Sequence, residues 1–409
     1  MNKIAETPDY SADICRSAEL FLERWEALLD EHSSPFHSLV WMRAWYDKLG
    51  STAERTPLFV GVKRRDTGAD VMLLALVQRR RWGLSLVEFA DAGVVDYVSP
   101  LVAAEWAGCS PDDTGATAAS AQRLWQAMRL ALRGHDLLCI EKMLGEALGE
   151  CPRSTNPLMF ALHVQTCEMS VSQFHVAHTW DAWLNSLGKD KRRNLQRAWH
   201  SFTRSEGALF ERITDPSKAF ETYAMMEEQQ ATRMQQRQGD YLLDRTEYSA
   251  FYRQALADGL ADGRVVLTAL RDGEHLVAAQ LGIANRNRYV ALRQTMGGDQ
   301  WHASSPGRLL NERTAYHLYE QGLRWFDFGI GSYRHKQMFR VSQIPLYDAC
   351  EALSWRGVPV NWAWRLRRAL KRQAWLVALW RHIKSGITRE PAETSVTREK
   401  TEAPGPARS

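Results

Sequence analysis

The chain has 409 residues, 45% of them apolar and 24% charged, with a formal net charge of +4. That length exceeds one ordinary core and suits two domains with tails. The near-neutral balance excludes a surface that is polyanion-binding all over, and a nucleic-acid partner is not expected from it. Cys15, Cys109, Cys139, Cys151, Cys167 and Cys350 form no C-x-x-C pair. This spacing argues against a zinc ribbon or a disulfide framework, and no metal is expected. The start, MNKIAETPDYSADICRS, has no apolar signal region, and no apolar run approaches bilayer-spanning length. A cytoplasmic protein is expected.

In chain order, residues 1–16 read as a disordered polar segment. A helix follows from Ser17 to Asp30, with Leu20, Phe21, Trp25, Leu28 and Leu29 on one face. A second starts at Ser34-Pro35 and stops at Gly50. PLFVGVK, VMLLALVQ and LSLVEFA read as strands, a helix covers about 118–132, and DLLCIEKM is the next strand. The second half repeats that order. Helices cover about 180–187, 189–205, 217–235 and 246–257. RVVLTALR, HLVAAQLGIA and RYVALRQTM form a meander, and a helix and the strand WFDFGI close it. The repeat is one of element order rather than of residues. Residues 389–409 are rich in Pro, Glu and Thr and read as a disordered tail.

The most informative segment is SPGRLLNERTAYHLYEQGLRWFDFGIGSYRHKQMF, from Ser305. Ser305, Pro306, Gly307 and Arg308 open an amphipathic helix, Gly322 ends it, and a short strand carries Asp327. A helix N-terminus behind a strand can hold phosphate, because its first N–H groups are unpaired and its dipole favours anions. The same residues also make an ordinary helix start with proline in its first turn.

The ordered set SPFHSLVWMRAWYDKLG, DYVSPL (Asp96–Leu101), LGKDKRRNLQRAWHSFTRSEG, SPGRLL and FDFGIG…K resembles the CelD-like acetyltransferases of cellulose biosynthesis. These belong to the GNAT superfamily, which also contains the Fem-type aminoacyltransferases with two tandem GNAT-like domains. The resemblance covers about 17–355. It implies an α/β (α+β) fold of tandem GNAT-like domains, each a mixed, mostly antiparallel sheet flanked by helices. The domains would be 17–170 and 171–355, the second holding acetyl-CoA and the chemistry. It further implies an acyl-CoA donor, its pyrophosphate on Ser305–Arg308, and a small-molecule or glycan acceptor tied to polysaccharide production. The family commonly reads Asp-Glu-x-Tyr-Lys after its Gly-x-Gly. Here Ser332-Tyr333-Arg334-His335-Lys336 keeps only the lysine.

Acyl transfer from a thioester needs an oriented acceptor, a base and oxyanion stabilisation. Asp327 is the first candidate for base or acceptor-binding group, beside the reading of a structural carboxylate paired with a cation. His335 titrates in the right range for a base. Tyr333 can protonate the departing thiolate, and Lys336 can bind an anionic acceptor. Each also has an ordinary surface or packing reading.

Lys189, Lys191, Arg192, Arg193 and Arg197 spread charge over more than one helix face, either as solvated residues or as an anion site. In 356–388, Trp362, Leu366, Leu370, Val377 and Trp380 fall on one side of a helix and Arg365, Arg367, Arg368, Lys371 and Arg372 on the other. Such a helix docks on a core or lies, through 360–384, on an anionic membrane surface at the inner face of the cell membrane. Two rival functions follow: a Fem-like enzyme using aminoacyl-tRNA, and a catalytically silent accessory of a membrane polysaccharide synthase.

Overall fold

The computed structural model describes residues 5–30, 33–103, 114–145, 156–236, 245–331 and 336–372. Among these described residues, those up to Val358 form one compact unit and those from Pro359 a second. The strands are β1 (Ala5–Glu6), β2 (Tyr10–Cys15), β3 (Arg55–Arg64), β4 (Asp70–Arg81), β5 (Leu84–Phe89), β6 (Leu101–Val102) and β7 (Leu137–Leu144). Then come β8 (Val164–His175), β9 (Ala208–Ile213), β10 (Val265–Asp272), β11 (His275–Ala284), β12 (Arg288–Met296), β13 (Trp325–Ile330) and β14 (Ser342–Ala352). The helices longer than one turn are α1 (Ala18–Leu28), α2 (Leu39–Trp45), α3 (Thr114–Ala131), α4 (Trp180–Ser186), α5 (Lys189–Phe202), α6 (Pro216–Gln236), α7 (Thr246–Gly259), α8 (Pro306–Glu320) and α9 (Val358–Arg372).

Both halves fold as expected: a mixed α/β architecture on a mostly antiparallel sheet. Meander β3-β4-β5 is followed by α3 and by β7, which pairs β5 in parallel; meander β10-β11-β12 is followed by α8 and by β13, which pairs β12 in parallel. Apolar strands buried on both faces drive this: Val71 to Val77 of β4 and Leu276 to Ala284 of β11 lie in the core, as parallel-type central strands do.

The halves join through exchanged strands. β8 follows the first half but pairs β13 of the second, and β14 follows the second but pairs β7 of the first. β8 and β14 also pair each other, so one sheet runs β1-β2-β3-β4-β5-β7-β14-β8-β13-β12-β11-β10-β9 with β6 on β4. The boundary expected at 170/171 falls inside β8.

Three local expectations need correction. Residues 10–15, read as part of a disordered start, form β2, whose Tyr10 and Ala12 are buried and which pairs β3 from Tyr10↔Arg64 to Cys15↔Phe59. The alternation in YSADIC is short, and its apolar side needed β3 and α3 to be worth burying. In α1 the buried face is Phe21, Leu22 and Trp25, while Leu20 is exposed. The helix expected from Ser34 to Gly50 is interrupted: a 3-10 turn covers Pro35–His37, and Ser38 caps a new start by accepting the Trp41 N–H. The tail at 389–409, and Val377 and Trp380, lie outside the described residues.

Candidate active site

β12 and β13 pair in parallel only at Arg288↔Trp325, Tyr289↔Phe326 and Val290↔Asp327. β12 continues to Met296 and β13 to Ile330, so the strands part immediately beyond Asp327. Phe326 on the opposite face is fixed by ring stacking on Phe174, with centroids 5.0 Å apart, and Phe174 stacks in turn on Trp183 at 4.6 Å. Asp327 is therefore fully buried at the apex of a V in the sheet.

The Asp327 carboxylate holds the turn that follows it. The Gly329 N–H donates to Oδ1 at 2.7 Å. Lys336 Nζ donates to the carbonyls of Gly329 (3.2 Å) and Ile330 (2.8 Å), returning the chain to the same turn. Burial raises the Asp327 pKa, opposed by Arg288, the Gly329 N–H, Tyr97 and Lys336. Burial lowers that of Lys336, with Asp96 and Asp327 opposing.

Asp96 and Tyr97 enter from the loop between β5 and β6. Asp96 is pushed up to about 7, first by burial and next by the Asp327 charge, with Lys142 and Lys336 pulling the other way. It is a carboxyl poised near neutrality. Tyr97 approaches Asp327, and burial drives its phenol well above the ordinary value. Lys142 sits beneath the loop at a bulge of β7, with a left-handed φ of 57°. Its Nζ pairs with Asp91 at 2.8 Å and donates to the Val95 carbonyl. The Lys142 N–H donates to Asp348 Oδ1 of β14 at 2.8 Å. Arg288 donates to Gln173 of β8 at 2.5 Å and lies over the Trp325 ring at 5.0 Å.

Asp327 Oδ2, the Tyr97 hydroxyl and Arg288 Nη2 are buried together here, and none of them makes a hydrogen bond of good geometry. Buried polar atoms are nearly always satisfied, so hydrogen-bonding capacity is left over at this point.

The second part of the site is the start of α8. Ser305 has a left-handed φ of 49° and its side chain makes no capping bond, while Pro306 has no N–H to offer. A non-glycine residue held there is strained, which is common at binding sites. Arg308 Nη2 donates to Ser305 Oγ at 2.7 Å, and Nη1 contacts Met338 Sδ at 3.0 Å, two residues beyond Lys336. Gly307 packs closely against β12, where a Cβ would meet Met296 Sδ at 2.7 Å. Gln294 of β12 donates to the Gly307 carbonyl at 2.8 Å, which fixes this turn.

Beside it, a cleft of about 560 Å³ is lined by Arg197, His200 and Arg204 together with Ser305 and Arg308. A second cleft of about 510 Å³ along α5 is lined by Lys189, Arg192 and Arg193 together with Asp181. Lys191 ties α5 to the loop after β13, donating to the Gln337 carbonyl at 3.0 Å.

Of the residues singled out from sequence, the structure places Asp327 and Lys336 together and Ser305, Pro306, Gly307 and Arg308 at one helix start. Tyr333 and His335 lie outside the described residues. The motif DYVSPL gives Asp96 and Tyr97 no role by itself, and neither Lys142 nor Arg288 stands out in the sequence. A lysine inside the apolar strand LLCIEKM was the available signal. Among the described residues no group of His, Cys, Asp or Glu is placed to hold a metal, and no helix is long and apolar enough to cross a membrane.

Residues 189–337 match the family model described as an acetyltransferase (GNAT) domain. No curated protein matches the chain in sequence. Among solved structures, FemX is similar at 12% identity, covering 85% of this chain and 98% of its own, with a TM-score of 0.53. The C-terminal domain of a protein described as a lysylphosphatidylglycerol synthetase from Agrobacterium fabrum is similar at 13% identity, covering 87% and 97%, with a TM-score of 0.50. At such identities the likeness is one of fold. Residues 189–337 thus carry a GNAT-type acetyltransferase domain, and the half before them repeats its element order.

Proposed function

We propose that the chain transfers an acyl group, acetyl in the first instance, from acyl-CoA to a hydroxyl or amine of a sugar-containing acceptor. The observation that carries this reading is the parting of β12 and β13 at Val290–Asp327, with an uncapped, cationic helix start on one side and a buried acid cluster on the other. The half from 171 to 355 holds the donor. Its pyrophosphate meets the first turn of α8 and Arg308, with Arg197 and Arg204 beside it. Its thioester lies in the V.

In this reading Asp96 takes the proton from the acceptor nucleophile. A carboxyl that titrates near 7 is half-ionised at working pH and matches general-base work. The nucleophile attacks the thioester carbonyl carbon, the C–S bond breaks, and the coenzyme thiolate leaves, taking a proton from Tyr333 or His335. Asp327, committed to the Gly329 N–H through one oxygen, orients the acceptor with the other, beside Tyr97 and Arg288. Lys336 holds the turn and moderates both carboxyl groups. The glycan acceptor and the tie to polysaccharide production rest on the CelD-like motifs.

A second reading takes the donor to be aminoacyl-tRNA. It is favoured by the second cleft along α5, where Lys189, Arg192 and Arg193 extend the cationic surface beyond what a coenzyme needs. Titration calorimetry separates the two. Saturable acetyl-CoA binding that survives moderate salt supports the first. Absence of acetyl-CoA binding, with aminoacyl-tRNA binding that falls steeply with salt, overturns it in favour of the second. Binding of neither donor leaves only the non-catalytic reading.

A further inference from the structure

The hairpin joining β4 and β5 turns through two residues, Trp82 and Gly83, with φ of 52° and 73° between the paired Arg81 and Leu84. Such turns favour Asn, Asp or Gly at the first position, because a side chain there is strained. A tryptophan at that point costs folding energy, and packing returns little, since the ring is 75% exposed. The Arg81 guanidinium lies 4.1 Å from the ring centroid, and Arg80 precedes it.

A second exposed indole is held next to this tip. Trp355 is 82% exposed in the 3-10 turn Trp355–Gly357. The turn is rigidly anchored. Arg356 donates to the Gly83 carbonyl at 2.6 Å, Ser354 to Asp136 Oδ1 at 2.5 Å, and the Leu353 N–H to the Asp136 carbonyl at 2.9 Å. A Cβ on Gly357 would collide with the Asp136 backbone, so the chain is pressed against the domain at that point. The fold thus presents two exposed indoles on one firmly anchored corner.

Described by itself, α9 has the same chemistry. Val358, Trp362, Leu366 and Leu370 recur every four residues and are 47%, 70%, 51% and 45% exposed. Arg365, Arg367, Arg368, Lys371 and Arg372 share the helix, and it contains no Asp or Glu.

We propose that the Trp82–Trp355 corner seats on a bilayer containing anionic phospholipid. Indoles prefer the headgroup level, where the ring is apolar and the N–H stays wet. Interleaved arginines supply the charge complement of an anionic leaflet, each adding attraction within a Debye length. The proposal is independent of the acyl donor and of the acid cluster.

The test is co-sedimentation of the full chain with phosphatidylglycerol–phosphatidylcholine vesicles and with pure phosphatidylcholine vesicles, over a salt series. The expected result is binding to the anionic vesicles only, weakening with salt. Trp82→Ala with Trp355→Ala should lower the partition coefficient about 10-fold or more, since two interfacial rings are lost. The melting temperature should not fall, because both rings are exposed. Arg80→Glu with Arg81→Glu should remove the anionic preference. Absence of sedimentation with anionic vesicles overturns the proposal, and so does lipid binding indifferent to all four changes. A wild-type dimer that these changes convert to monomer, without lipid binding, would assign the surface to a second copy instead.

Discussion

The Asp96 carboxylate lies in the space that a Cβ on Gly329 would fill. Gly329 has a φ of 72°, so two constraints exclude a side chain there. One residue belongs to a loop of the first half and the other to β13 of the second. Their contact makes the site a property of both halves.

Gly329→Ala is accordingly expected to act on Asp96 as well as on the backbone. The left-handed φ alone costs an alanine about 1 kcal/mol, and the methyl group displaces the carboxyl. Thermal denaturation should show the stability loss, and turnover should fall about 10-fold or more. Adding Asp96→Gly should recover part of the stability and none of the turnover, a non-additivity expected of residues in contact. Additive stability effects would mean that the carboxyl is not where the structure puts it.

Asp96→Asn should separate function from stability. Native Asp96 titrates at about 7, above the ordinary carboxylate value near 4. Between those values the folded chain holds a proton that the unfolded chain has lost. The contribution to stability is therefore full below about pH 4 and is lost as pH rises through about 7. The asparagine variant should be more stable than wild type above pH 7 and equal to it near pH 4, by denaturant titration. Its turnover should drop by about 10²–10⁴-fold if Asp96 is the base. Wild-type turnover should rise with pH through about 7.

Lys336→Gln tests the electrostatics of the same cluster. Lys336 favours the ionised form of Asp96, so neutralising it should move the alkaline-rising limb of the pH–rate profile upward. An unchanged limb would separate Lys336 from the titrating group. The glutamine can still donate to the Gly329 and Ile330 carbonyls, so the turn should persist in crystals of the variant.

Much of this arrangement could be read in the chain. Ser305-Pro306-Gly307 and Gly322 bracket α8, apolar runs mark both meanders, and WFDFGI places Asp327 on a strand. What could not be read lies in β8 and β14. VQTCEMSVSQFH is polar and without clean alternation, and SQIPLYDACEA carries Pro345 and two acids. Their strand character comes from pairing with each other and with β13 and β7, which no local pattern encodes. Without that exchange nothing in the sequence brings Asp96 to Gly329. Lys142 was hidden for a related reason: only the bulge of β7 against β14 turns it inward. Gly307 was legible as a required glycine, and the structure adds a packing constraint from Met296 that the sequence does not show.

His37 offers a stability test away from the acid cluster. It is buried, with Nε2 3.1 Å from the Ser99 carbonyl, and burial lowers its pKa to about 4. The unfolded chain binds a proton near 6.5 that the folded chain refuses until about 4. Stability should therefore be lost as pH falls from about 6.5 to about 4. In His37→Gln that slope should be smaller by one proton in denaturant titrations across the window. An identical slope would place the imidazole in solvent.

Arg308→Glu probes the donor end. The guanidinium lies at the uncapped start of α8, bonded to Ser305 Oγ and in contact with Met338. Reversal replaces a charge-assisted donor by an anion where a pyrophosphate is proposed to sit. Loss of one such bond costs about 1.5–3 kcal/mol, so acetyl-CoA affinity should fall about 10-fold to 100-fold, and further through repulsion. Arg204→Ala should have a smaller effect that salt erases, since that side chain is exposed. Both variants should keep the wild-type melting temperature within a few degrees, because neither cation is paired with an acid in the described structure. If acetyl-CoA binds the glutamate variant as tightly as wild type, the coenzyme does not lie on α8, and the cationic cleft serves another anion.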